Sequence, residues 1–135
     1  MVATLSLTFD ELDHQTASMT LPDQSAYHNH VGGPHAGAMF TLAESASGAL
    51  VLANFGDRLG DATPLAVEAT IRYLKLAMGP VTATARMMRS GEEILAELDR
   101  GGRPEFLVEI DLTSSDGTVT GQMTIVWTLK PNKRS

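Results

Sequence analysis

The chain has 135 residues, 43% of them hydrophobic, and its ten Lys and Arg against sixteen Asp and Glu give a net charge of −6. This length suits a single domain, residues 1–135, that buries about two-thirds of its unfolded surface, and the absence of cysteine excludes disulfides, thiolate chemistry and cysteine-based zinc sites. The acidic balance argues against nucleic-acid or membrane binding, and with no leader-like segment or apolar run of about 18 residues we expect a cytoplasmic protein that acts on a small molecule.

Two short alternations of apolar and polar residues begin the chain. Leu5 to Phe9 and Ala17 to Leu21 place apolar side chains at every second position, and the polar stretch from Asp10 to His14 separates them. Alternation with a period of two is typical of a half-buried strand. We therefore predict two strands, followed by a loop from Pro22 to Pro34.

A single long helix is predicted from Ala36 to about Phe55. The stretch contains no proline, and its apolar residues recur at the three- and four-residue spacing of one helical face. Those residues are Met39, Leu42, Ala43, Ala46, Ala49, Leu50 and Ala53. Many of its residues are small, which allows close approach to a sheet or to a second helix. Glu44 is the one charged residue in this helix. We expect it to be buried and to take part in the chemistry of a site, because an acid is seldom buried without such a role.

The segment after the helix alternates in two runs. Leu65 to Tyr73 and Val81 to Met87 each repeat an apolar residue at every second position, and Leu65, Ala69 and Tyr73 are expected to share one face. Gly79-Pro80 lies between the runs and is typical of a turn. The sequence therefore predicts that these two strands pair as an antiparallel hairpin.

A short helix and a second hairpin complete the pattern. Ser90 to Glu93 has the capping-box spacing and Gly101-Gly102 is a stop signal, which together indicate a helix between them. The strands Phe106 to Leu112 and Val119 to Leu129 follow, joined by the turn dipeptide Asp116-Gly117.

The order of these elements indicates an α+β fold. About six antiparallel strands accompany one long helix and one short helix, so the long helix must provide the main cover of the sheet. A sheet that curls round a central helix satisfies this requirement, because the small residues of the helix fit its concave side. This arrangement is the hotdog fold.

The residues from Asn29 to Glu44 resemble a motif of known enzymes. Asn29 is followed after five residues by His35-Ala36-Gly37 and after six more by Glu44. This spacing is similar to the Asn, His-Gly-Gly and acidic-residue pattern of the phenylacetate-degradation type of hotdog acyl-CoA thioesterase. The resemblance covers nearly the whole chain and is closest to a subgroup usually labelled a domain of unknown function.

The resemblance implies roles for five residues. The acid, Glu44, acts as nucleophile or general base in thioester hydrolysis, the Ala36 N–H polarises the carbonyl, and Asn29 positions a reactant. His35 orients the loop and, with Gly37, contributes to substrate binding. Ala36 stands where the family has its first glycine, so the N–H is kept while a methyl group narrows the approach of substrate.

The spacing of Ala36 and Glu44 also predicts an oligomer. Eight residues at 1.5 Å per residue separate them by about 12 Å along the helix, which is too far for both to act on one carbonyl. Two helices packed antiparallel about a twofold axis would bring Glu44 of one protomer near Ala36 of the other. We therefore expect a homodimer or a dimer of dimers.

Basic residues of the strands after the helix are candidates for substrate binding. Arg72, Lys75, Arg86 and Arg89 are expected beside the helix, where they could meet coenzyme A phosphates. Charged residues on an outer strand face are more often simply solvated, so the alternative that these four residues bind no ligand stays open.

Two other functions remain open. A hydroxyacyl-thioester dehydratase would pair His30 with Glu44, fourteen residues further along the chain, and a noncatalytic protein would only bind acyl thioesters. The histidines at 28, 30 and 35 have loose spacing and no cysteine beside them, so we predict no metal site. No cofactor is implied for any of these functions.

Overall fold

The computed structural model describes residues 8–22, 36–75 and 79–132. The strands are β1 (Thr8–Leu12), β2 (Thr16–Leu21), β3 (Ala62–Tyr73), β4 (Val81–Met87), β5 (Glu105–Ser114) and β6 (Val119–Pro131). The helices are α1 (Ala36–Phe55) and α2 (Gly91–Asp99), and a 3-10 turn, Gly56–Arg58, follows α1. The predicted order of strands and helices is confirmed. β1, however, continues to Leu12, into the polar stretch that was expected to separate the first two strands.

All six strands form one antiparallel sheet in the order β1-β2-β4-β5-β6-β3. α1 packs on one face of this sheet, which we call the inner face, mainly against β2, β4 and β5. The largest fully buried side chains come from both layers, and they include Phe55, Met19, Leu21, Leu42, Leu50, Ile110 and Leu112. The α+β hotdog architecture expected from the sequence is therefore confirmed.

The bounds of α1 coincide with the predicted helix. Eight apolar residues of α1 have side chains in the core together with Ser47. Ala36 to Arg58 is also apolar enough to cross a membrane by length and composition. It is, however, the core helix of this domain, since one of its faces is buried against the sheet.

The predicted hairpin of β3 and β4 is wrong. β3 pairs with β6 at one edge of the sheet, whereas β4 lies between β2 and β5. Two strands therefore separate β3 from β4, a distance of about 14 Å at the usual strand spacing. Residues 74–80 can span it because an extended chain covers about 3.3 Å per residue. Alternation and a turn dipeptide locate strands, but they do not specify partners.

A bulge in β3 also breaks the predicted alternation. Leu65 pairs with Thr128, while Ala69 pairs with the buried Ile125, and the register shifts between Ala66 and Glu68. An extra residue in one strand reverses the face of every residue beyond it. Leu65 therefore lies on the outer face of the sheet, opposite to Ala69.

The second hairpin and the short helix have the predicted turn chemistry. Gly117 adopts a φ of 87° in the β5–β6 turn, which glycine allows without strain. Asp116 accepts hydrogen bonds there from the Thr118 N–H and the Ser114 hydroxyl, which lower its pKa to about 2. At the start of α2, the Ser90 hydroxyl accepts from the Glu93 N–H at 3.1 Å.

Candidate active site

The start of α1 is open to solvent and is bonded to the edge strand β3. Ala36 and Gly37 are both exposed. The Tyr73 hydroxyl donates to the Ala36 carbonyl at 3.2 Å, and the Thr41 hydroxyl donates to the Gly37 carbonyl at 3.0 Å. The first N–H groups of a helix have no acceptors within the helix and carry the positive end of its dipole. An oxygen that develops negative charge is stabilised at such a place.

Glu44 is exposed, which corrects the expectation that it is buried. It belongs to a row of exposed or partly exposed residues on one side of α1, which we call the open stripe. The open stripe consists of Gly37, Thr41, Glu44, Gly48 and Leu52. The expectation failed because the surrounding alanines suggested burial on all sides, whereas the sheet covers only the opposite side of the helix.

One helix cannot bring Glu44 to its own Ala36. Both residues lie within the regular helix Ala36–Phe55, so about 12 Å along the axis separates them. A carbonyl bound at the Ala36 N–H is thus out of reach of the Glu44 carboxylate of the same chain. Within one chain, these two groups therefore cannot act on the same carbonyl.

Trp127 holds the turn of α1 that contains Glu44. The Trp127 indole N–H donates to the Ser47 hydroxyl at 3.1 Å, and that hydroxyl donates to the Glu44 carbonyl at 3.2 Å. Ser47 is fully buried. Sequence reasoning missed these contacts, although a tryptophan in the last strand and a serine three residues after the acid were visible signals.

The basic candidates do not lie together. Arg72 pairs with Gln122 and Arg86 with Glu109, so both are on the outer face, with β5 and β6 between their strands. The Arg86 guanidinium forms an ion pair with Asp111 at 3.0 Å. Lys75 is exposed just beyond the end of β3.

The loop candidates Asn29, His30 and His35 lie outside the described residues. Among the residues that the structure describes, no three His, Asp or Glu side chains are grouped closely enough to hold a metal ion.

An open cleft of about 720 Å³ lies at the far end of α1. Its lining includes His14, Asn54, Arg89 and Gly91. Asn54 is eighteen residues from Ala36, or about 27 Å along the helix. This cleft is therefore remote from the candidate site despite its size.

Solved structures with the same fold define the class of this protein. A Pseudomonas aeruginosa protein of unknown function, PA5026, described as a probable thioesterase, is 28% identical, with a TM-score of 0.86 over 97% of this chain and 87% of its own. A mutant of the thioesterase PA1618 from the same organism is 23% identical, with a TM-score of 0.77 over 97% and 86%. The Escherichia coli PaaI protein of the phenylacetic acid degradation operon is 16% identical, with a TM-score of 0.73 over 96% and 82%. The last two show the fold alone.

The three structures share the hotdog fold with this chain, and the similarity to PA5026 identifies a thioesterase-like protein of that class. The family model described as "Domain of unknown function (DUF4442)" matches residues 1–129. The chain belongs to that family. No curated protein gives a match to the sequence.

Proposed function

We propose that the protein is a homodimeric acyl-CoA thioesterase whose two sites each combine residues of both protomers. Glu44 of one chain and the start of α1 of the other act on the same thioester. The observation that carries this proposal is that Ala36 and Glu44 are both exposed and lie two turns apart on a single helix. Two groups at this separation form one site only when a twofold axis brings the copies together.

The chemistry follows from the two halves. The thioester carbonyl accepts from the Ala36 N–H, where the helix dipole stabilises the negative charge of the tetrahedral intermediate. Glu44 either removes a proton from water, which then attacks the carbonyl, or attacks the carbonyl itself and is released by water. In both cases the thiolate of coenzyme A leaves and a carboxylic acid is formed. Asn29 positions the water or the thioester.

The edge strand supports dimer formation. β3 is twelve residues long and lies at the edge of the sheet, with Val67 and Tyr73 each about half exposed. A long edge strand with exposed apolar side chains is a surface for pairing with another chain. A second copy of β3 would extend the sheet and align two copies of α1 side by side.

The exposed cations near β3 are candidates for phosphate binding. Arg72 precedes Tyr73, whose hydroxyl contacts Ala36, and Lys75 follows the end of the strand. We assign Lys75 to the phosphates of coenzyme A. Arg72 is a weaker candidate, because its side chain lies on the outer face of the sheet. Arg86 is a weaker candidate for the same role, because its guanidinium already pairs with Asp111.

The first test is Glu44→Gln, which removes the charge and the base with little change in volume. Thiol release from a panel of acyl-CoAs should fall by at least about a hundredfold while the fold is unchanged. Glu92→Gln, the same change at an exposed position of α2, should keep parental turnover. Parental turnover in Glu44→Gln would exclude the assigned chemistry.

Mixing two inactive variants tests the composite site. Glu44→Gln and the double variant Asn29→Ala, Ala36→Pro should each be inactive alone. After mixing and re-equilibration they should regain part of the activity, because each heterodimer contains one site with both halves intact. A hydrolase that sediments as a monomer under assay conditions would contradict the proposal.

A further inference from the structure

Side chains of the sheet hold α1 at both of its reacting positions. Tyr73 of β3 bonds to Ala36, and Trp127 of β6 bonds through Ser47 to the backbone of Glu44. β3 and β6 are adjacent strands, and few of the helix-to-sheet contacts of α1 involve either of them. At these two places, individual hydrogen bonds therefore add to the packing of the helix on the sheet.

The Tyr73 bond acts on the first peptide of the helix. The Ala36 carbonyl belongs to the planar peptide group that follows the Ala36 N–H, and the Ala36 Cα joins the two. A donor fixed on that carbonyl therefore restricts the backbone torsions of Ala36 that set the direction of its N–H. Helix ends fray readily. Tyr73 is 49% exposed, so burial of its ring does not account for its position, and its hydroxyl is directed at the start of α1.

The Trp127 bond acts on the turn that contains the acid. Ser47 is fully buried, accepts from the indole N–H and donates to the Glu44 carbonyl, so its hydroxyl is used in both directions. This pair fixes the rotation of α1 about its axis at the turn from which the Glu44 side chain projects. A small rotation there would displace the carboxylate, and a displacement of about 1 Å can reduce a rate by about a hundredfold.

We propose that Tyr73 and Trp127 are positioning residues for opposite halves of the composite site. Tyr73 serves the oxyanion half through Ala36, and Trp127, with Ser47, serves the acidic half through Glu44. This inference rests on the proposed function. It predicts not only that both residues matter but also which half of the site each one belongs to.

The first measurement is the steady-state kinetics of variants that remove the hydrogen-bonding group of each side chain. Tyr73→Phe, Trp127→Phe and Ser47→Ala should each lower kcat about tenfold with little change in KM, because the reacting groups are displaced while the binding surface remains. Asn54→Ala is the matched control. It removes bonds of 2.9 Å from α1 to the His14 and Leu50 carbonyls at the remote end of the helix, and it should keep parental kcat.

The second measurement assigns each residue to a half. In a re-equilibrated mixture of Tyr73→Phe with Glu44→Gln, heterodimers contain one intact site, so activity should rise about fivefold above the unmixed average. A mixture of Trp127→Phe with Glu44→Gln should show no rise, because both changes affect the acidic half. If the two residues only stabilised the fold, the two mixtures would not differ in this way in their activity.

The outcomes separate the inference from the proposed function. Full kcat in Tyr73→Phe and Trp127→Phe with an active parent would overturn the inference alone. So would equal complementation by both variants, or a loss in Asn54→Ala as large as theirs at matched thermal stability. A parent that hydrolyses no acyl-CoA would overturn the proposed function and the inference together.

Discussion

Asn29 and His30 are neighbours in the sequence, yet each implies a different reaction for Glu44. A thioesterase would use the amide of Asn29 to position a reactant, and His30 would have no necessary part in hydrolysis. A dehydratase would use His30 to remove a proton from the carbon beside the thioester while Glu44 protonates the departing hydroxyl. The choice between the two enzymes therefore depends on which neighbour is indispensable.

We predict that His30→Ala keeps most thioesterase activity and that Asn29→Ala loses about ten- to a hundredfold. That loss corresponds to about 1.4 to 2.7 kcal/mol of transition-state stabilisation. Released thiol measures the hydrolysis, and the ultraviolet absorbance of an enoyl-CoA measures hydration. The reverse order of sensitivity, together with loss of that absorbance, would favour the dehydratase.

Single residues also mark the limit of what the sequence reveals about the site. The resemblance to the thioesterase motif implies roles for Glu44 and Ala36. It does not reveal that Glu44 is exposed, because the exposure depends on which side of α1 the sheet covers. Nor does it identify Tyr73 or Trp127, since each meets α1 only through the folded sheet, 37 and 80 residues away from its partner.

At the scale of elements, local signals were sufficient for the helices and for the β5–β6 hairpin. The apolar period of α1, the Ser90 cap and the Asp116-Gly117 turn are each determined within a few residues. The position of β3 and its bulge were not predictable in this way. Pairing of β3 with β6 joins residues more than forty positions apart along the chain, and no local pattern encodes that choice.

The β5–β6 turn makes a prediction about pH. The pKa of Asp116 is lowered to about 2 in the folded chain, from an ordinary 3.8, by the Thr118 N–H and the Ser114 hydroxyl. A lowered folded-state pKa stabilises the fold above the unfolded pKa, and this contribution is lost as pH falls from about 4 to about 2. Asp116→Ala should therefore lower Tm at pH 7, and the difference from the parent should shrink at pH 3. Thermal unfolding followed by circular dichroism at both values measures it, and a difference that is constant or grows in acid would contradict the assignment.

At the scale of the whole molecule, the fold leaves two faces uncovered. On the side of the molecule that carries α1, the open stripe includes Leu52, which is 54% exposed, and β3 runs along the free edge of the sheet. On the outer side, no described helix covers the sheet, and Leu107 is 43% exposed there beside Val126. Only the surface on the α1 side includes Glu44, so the proposed composite site requires that surface to form the dimer.

This requirement can be tested by placing the same charge on either face. Leu52→Asp puts a carboxylate on the open stripe, where burial against the partner protomer would leave the charge without a partner. We expect it to yield monomers in sedimentation velocity and to lose hydrolysis, while the fold, followed by circular dichroism, is kept. Leu107→Asp is the matched control on the outer face and should leave a dimer with parental activity, even if it separates a dimer of dimers into two. If Leu107→Asp yields inactive monomers while Leu52→Asp remains an active dimer, the protomers associate through the outer face and the composite site of Ala36 and Glu44 is excluded.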